Sequence, residues 1–190
     1  MSEDSKPYFL YVGHRTPYKN FIRLLDAFGQ AKLGHRFDLV AISPSGASFT
    51  AEEERSIARH GIAQSVRLRF SPSDDELRAT YARAFAFVYP SLYEGFGLPI
   101  LEAFASGVLV CASNTASMPE LGGEAALYFE PEVVDSIAAT LIQAASLDED
   151  ERHARIRAGI ERARFFTWER CVIRTMDILR ELACEQRPRR

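Results

Sequence analysis

Apolar residues along the chain alternate between two patterns, short continuous runs and helically spaced stripes. The run Tyr8-Phe9-Leu10-Tyr11-Val12 stops at Gly13 and predicts a buried strand. Phe21, Ile22, Leu24, Leu25, Ala27 and Phe28 then recur at helical spacing, with Gly29 and Gly34 near the end. Further strands are predicted over Phe37–Ile42, Val66–Phe70, Ala84–Tyr89, Val108–Ala112 and Leu127–Phe129. Between them lie helix signals: Thr50 before Glu52, Glu53 and Glu54 is a capped acidic start, and Ser73 with Glu76 is a capping box for a helix through Ala82. A helix from about Leu98 to Ala105 follows, and the chain reads as a loop from the fifth strand to Leu127. From Val133 onward the pattern is helical and ends in an amphipathic helix, Trp168 through Leu182, with Thr167 as its N-cap.

Strands alternating with helices predict an α/β fold, a Rossmann-like parallel sheet with helices on both faces. With 190 residues, 47% hydrophobic and 26% charged, the chain has the composition of one globular domain, and one full core is feasible at this length. The expected organisation is an extension at 1–7, a domain at 8–184 and a solvated, unstructured basic tail at 185–190 that includes Arg187-Pro188-Arg189-Arg190.

Charge and cysteine content narrow the functions. A formal net charge of -3 argues against nucleic acid as partner. The longest uncharged stretch, Ala103 to Pro119, is too polar to span a bilayer, and the start lacks the apolar core of a signal peptide. Cys111, Cys171 and Cys184 form no CxxC or His pairing, which predicts reduced thiols, a cytoplasmic setting and neither metal nor disulfide. Gly13 stands alone before His14-Arg15-Thr16, so no GxGxxG follows the first strand and a dinucleotide-dependent oxidoreductase is not indicated.

The segment richest in chemistry runs from Pro90 to Ala103. It joins the carboxyl end of a predicted buried strand to a helix, where open α/β sheets hold ligands. Gly95 and Gly97 allow close backbone approach, Pro99 suits a helix start, and the free amides there suit a phosphate or a sugar hydroxyl. Glu102 is the one ionisable group among Leu98, Ile100, Leu101, Ala103, Phe104 and Ala105, a segment expected to be buried. A buried carboxylate needs partners, and a core Arg or backbone amide serves as well as a ligand. Glu94 by itself reads equally as a solvated loop acid, Lys19 as a solvated cation before a helix, and His14 as a loop residue with a local hydrogen bond.

The stretch Pro-Ser-Leu-Tyr-Glu-Gly-Phe-Gly-Leu-Pro-Ile-Leu-Glu-Ala, with Glu94 and Glu102 in a Glu-x7-Glu arrangement, resembles the signature of retaining glycosyltransferases of family 4. Tyr11-Val12-Gly13 with Pro17-Tyr18-Lys19-Asn20, then Ser73 to Leu77, then Ala112-Ser113-Asn114 with Met118-Pro119-Glu120-Leu121, follow in the family's order, so the resemblance covers nearly the whole chain. It implies the C-terminal, donor-binding half of a GT-B glycosyltransferase, mannosyltransferase-like, transferring a hexose from a nucleotide sugar to a saccharide or lipid-linked acceptor. GDP-mannose or a UDP-hexose is the implied donor, with no cofactor or metal. By resemblance Glu94 meets hydroxyls of the transferred sugar and Glu102 the ribose. The backbone of Gly95, Phe96, Gly97 and Leu98 faces the sugar and distal phosphate, and Lys19 with Arg15 neutralises the leaving diphosphate. Gly13 and His14 complete the expected donor site, His14 standing where many relatives carry Arg. Phe70, Ser71 and Pro72 lie where relatives approach the base.

The resemblance also implies a missing partner, the acceptor-binding N-terminal domain, since seven residues precede the first strand. The expectation is an excised half that binds donor with little or no turnover, from a cytoplasmic parent enzyme that sits free or at a membrane surface. Some apolar positions of the last helix are then expected to be exposed. A nucleotide-binding or interaction module without transfer activity is the alternative reading.

Overall fold

The computed structural model describes residues 6–44 and 48–185. Six strands, β1 (Tyr8–Val12), β2 (Asp38–Ser43), β3 (Val66–Phe70), β4 (Ala86–Tyr89), β5 (Leu109–Ser113) and β6 (Leu127–Phe129), form one parallel sheet in the order β3-β2-β1-β4-β5-β6. Leu10 sits between Val40 and Phe87, and Val88 pairs with Cys111. The strands at the middle are apolar throughout because both faces are covered.

Alternation within β1 sorts the core. Phe9 and Tyr11 point into one cluster with α1 (Phe21–Gln30) and α6 (Val134–Ser146), which share Leu24, Phe28, Ile137 and Leu141. Leu10 points into the other, with Phe87, Tyr89, Ile100 and Phe104 beneath α3 (Asp74–Ala82) and α4 (Leu98–Ala105). On the first face α2 (Ala51–His60) packs against α1. On the second, α7 (Glu149–Phe165) crosses α4, and Gly159 admits the Phe104 ring where any Cβ would collide with it.

The capping signals at Thr50 and Ser73 are both complete capping boxes, with Glu53 and Glu76 at N3. Thr167 accepts from the Arg170 amide and caps α8 (Trp168–Glu185) as expected. Three details differ from the pattern reading. Three strands, β2, β4 and β5, begin one or two residues later than their apolar runs, whose first residues (Phe37, Ala84 and Phe85, Val108) pack against the core ahead of the strand proper. The loop after β5 holds a one-turn helix, α5 (Met118–Gly122), which Pro119, Gly122 and the following Gly123 conceal. The apolar stripe of α8 faces solvent as foreseen: Trp168 is 76% exposed, and Val172, Ile173 and Leu179 are also exposed.

Cys111 is buried, which pushes its thiol up to about 12, and Cys171 is exposed; both are free. The Cys184 side chain, residues 1–5 of the extension and the tail residues 186–190 lie outside the described set. Among the described residues no helix is long and apolar enough to cross a membrane.

Candidate functional site

The chain runs outward from β1 through β2 to β3, then returns to lay β4 on the other side of β1. The carboxyl ends of β1 and β4 therefore diverge, and the crevice between their loops is the place where such sheets bind ligands. The β1 loop carries Gly13, His14, Arg15 and Lys19, and the β4 loop carries Glu94 through Gly97.

The β1 loop is tightly folded. Gly13 turns the chain at φ 150, a conformation that residues with a Cβ rarely adopt, and its amide donates to the Ile42 carbonyl. The Tyr11 hydroxyl donates to the His14 carbonyl at 2.5 Å, and burial raises that phenol well above its ordinary pKa. Pro17–Lys19 form a single 3-10 turn that Asn20 closes in the left-handed region at φ 62. The buried Asn20 side chain donates to the carbonyls of Pro90 and Pro131, at 3.0 and 2.7 Å, and so ties this loop to those after β4 and β6. Sequence patterning offered Asn20 only as the neighbour of Lys19; its reach to positions 90 and 131 depends on the folded sheet.

That anchoring delivers Lys19 across the crevice. Its Nζ lies 2.6 Å from Glu94 Oε1 and 3.3 Å from the Tyr89 hydroxyl, and it sits over the rings of Tyr18 and Tyr89. The two ion-pair side chains are only 12% and 13% exposed. Burial, followed by the Glu94 charge, raises the Tyr89 phenol well above its usual range, so its proton stays on.

The turn after β4 is held from two sides. The Leu92 amide donates to the Tyr18 carbonyl, Thr115 Oγ1 to the Leu92 carbonyl, and Ser117 Oγ to the carbonyls of Glu94 and Phe96. The loop after β5 thus braces the glycine turn, although in sequence Thr115 and Ser117 are ordinary turn residues. Gly97 caps α4 at φ 108, and a Cβ there would approach Leu121 Cδ1 to 3.0 Å. A Cβ on Gly95 would meet nothing within 4 Å. Pro99 lies in the first turn, and no side chain caps α4, whereas α2, α3 and α7 each begin with a side-chain acceptor.

The remaining expected residues are placed apart from that pair. Arg15 Nη1 meets Glu53 Oε2 at 2.5 Å and Nη2 donates to the Ser48 carbonyl, with both ion-pair side chains nearly inaccessible. The structure therefore joins Arg15 to the start of α2, not to Lys19 and Glu94. His14 is exposed. Glu102 departs from its expected burial: α4 turns Ile100, Ala103 and Phe104 to the core, leaving Glu102 on the exposed side, where the Tyr81 hydroxyl donates to it at 3.1 Å. Its apolar neighbours in sequence sit on other sides of the helix.

Comparison with known proteins agrees with this architecture. A family model, Glycosyl transferases group 1, matches residues 2–162. The O-antigen chain mannosyltransferase B of Escherichia coli is 37% identical over 90% of this chain and 45% of its own length. The MMP alpha-(1->4)-mannosyltransferase of Mycolicibacterium hassiacum is 30% identical over 86% of this chain and 40% of its own. The chain thus spans less than half the length of these relatives. Among solved structures, sucrose-phosphate synthase from Thermosynechococcus elongatus superposes with a TM-score of 0.81 at 24% identity, over 98% of this chain and 47% of that one. The C-terminal domain of a group 1 glycosyl transferase, LpcC, from Francisella tularensis superposes at 0.73 and 24% identity, over 85% of this chain and 86% of that one.

Proposed function

Because this chain belongs to the glycosyl transferases group 1 family, we propose that residues 8–184 form the donor-binding domain of a GT-B enzyme that transfers a hexose from a nucleotide sugar with retention of configuration. The observation that carries the reading is the Lys19–Glu94 pair at the switch point, beside a glycine turn that enters α4 without a side-chain cap. Anions are favoured at such a helix start, and Lys19 adds a positive charge.

In this reading Lys19 faces the diphosphate. As the bond from the sugar's anomeric carbon to the phosphate oxygen breaks, its electron pair goes to the diphosphate, and a cation already in place stabilises the growing charge. Glu94 accepts from hydroxyls of the transferred sugar, and the backbone of Gly95 to Leu98 lies along the distal phosphate. Glu102 accepts from the ribose hydroxyls. Arg15 acts indirectly, fastening the β1 loop to α2, where Glu53 compensates its charge. Mannose is the sugar favoured by the names of the O-antigen and MMP relatives, which makes GDP-mannose the first donor to try. The acceptor-binding half belongs to the part of the relatives' length this chain does not span, so the isolated chain binds donor and turns over little or nothing. The parent enzyme works in the cytoplasm, free or at a membrane surface.

The test is calorimetric titration of the chain with GDP, UDP, ADP and their sugar conjugates, repeated with Glu102→Ala and Glu94→Ala. One nucleotide is expected to bind, to lose affinity in Glu102→Ala, and to lose mainly its sugar preference in Glu94→Ala. Equal losses for nucleotide and nucleotide sugar in both variants refute this division of roles, and absence of binding by all of them refutes the donor site.

A further inference from the structure

Glu102 opens onto a groove of about 490 Å³ between α3 and α4, lined by Asp74, Leu77, Arg78, Tyr81, Glu102 and Ser106. A glutamate on the exposed side of a helix samples many side-chain rotamers, and a carboxylate that must take hydroxyls at fixed positions loses that freedom on binding. Here one residue limits it beforehand. Tyr81, from the last turn of α3, is buried, with its ring 5.4 Å from that of Phe87, and its hydroxyl reaches Glu102 Oε2 at 3.1 Å.

We propose that Tyr81 is a positioning residue for the donor site: it occupies one oxygen of Glu102 and fixes the carboxylate so that its remaining lone pairs meet the vicinal ribose hydroxyls. The proposal rests on the donor-site reading above. The phenol can serve only as donor in this pair. Burial, and then the Glu102 charge, raise it far above the ordinary tyrosine range, so the proton remains on the oxygen and no second anion forms beside Glu102. A carboxylate offers about four acceptor sites. With one taken by Tyr81, enough remain for two hydroxyls, each donating to the face turned outward. Because the ring is packed in the core, the hydroxyl's place follows from the α3 and β4 packing, and the constraint is present before any ligand arrives.

The experiment compares Tyr81→Phe with the parent chain, since phenylalanine keeps the ring against Phe87 and removes one oxygen. The probes are GDP and UDP and the 2′,3′-dideoxy form of whichever binds, titrated by calorimetry. Tyr81→Phe is expected to weaken the ribonucleotide by roughly three- to tenfold, the range of a modest hydrogen bond, and to leave the dideoxy nucleotide unchanged. In a Glu102→Ala background the same substitution is expected to change neither. Equal weakening of both nucleotides would make Tyr81 a packing residue and overturn the proposal, as would unchanged ribonucleotide affinity while Glu102→Ala weakens it. If Glu102→Ala itself leaves the ribonucleotide unaffected, the assignment of Glu102 falls, which is a separate failure. Thermal melting of each variant identifies any loss that comes from unfolding, and Tyr81→Leu, which carries no donor, is expected to show the ribose-specific loss wherever it remains folded.

Discussion

Removing the charge of Lys19 tests whether the crevice is held by its ion pair. In Lys19→Met the stem still lies over Tyr18 and Tyr89 while the ammonium is gone. At 2.6 Å the direct attraction to Glu94 is about 6 kcal/mol with an effective dielectric near 20, but each ion gives up several kcal/mol of hydration when it is this sheltered. The net for a charge-assisted bond between mostly covered side chains is about 1.5–3 kcal/mol. Lys19→Met therefore destabilises by about 2 kcal/mol, which lowers the melting temperature of a chain this size by roughly 4–8 °C. Glu94→Gln leaves the ammonium beside the Tyr89 hydroxyl and is expected to destabilise less. The double variant is expected to be more stable than the sum of the singles by about 1 kcal/mol or more, because it leaves no lone charge in the crevice. Urea denaturation of the four proteins in low and moderate salt measures this coupling, which salt is expected to change little for a covered pair. Additivity within about 0.5 kcal/mol would refute the argument and would mean that the two side chains are solvated separately in solution.

Two further outcomes follow from the same structure. Gly97→Ala places a Cβ at φ 108 and against Leu121, so it should destabilise by about 1–3 kcal/mol in chemical denaturation; a loss below about 0.5 kcal/mol would show that the turn relaxes freely. At pH 8 Cys111, with its thiol raised to about 12 by burial, stays protonated and unreactive, whereas exposed Cys171 is modified by a thiol reagent; peptide mapping by mass spectrometry should find Cys111 labelled only after denaturant is added.

Much of this molecule is written locally. The six apolar runs, the capping boxes at Thr50 and Ser73 and the glycine turn into α4 are each decided by neighbouring residues, and the structure places the elements within one or two residues of that reading. The Glu-x7-Glu spacing is local as well, and Lys19 meets Glu94 where the resemblance to family 4 puts both in one site. Tertiary structure decided the remainder. Arg15 and Lys19 lie four positions apart with similar local chemistry, yet one reaches Glu53 and the other Glu94, because the loop leaves β1 between two divergent neighbours, β2 and β4. Glu102 sits in an apolar stretch and is exposed, because an eight-residue helix resting on a sheet has an outer side whatever its neighbours in sequence are. The cross-links made by Asn20, Thr115, Ser117 and Tyr81 are not legible in the sequence, for a single physical reason. Their hydrogen bonds join segments between 21 and 111 positions apart, and a bond across such a distance exists only after the sheet has brought its two ends together.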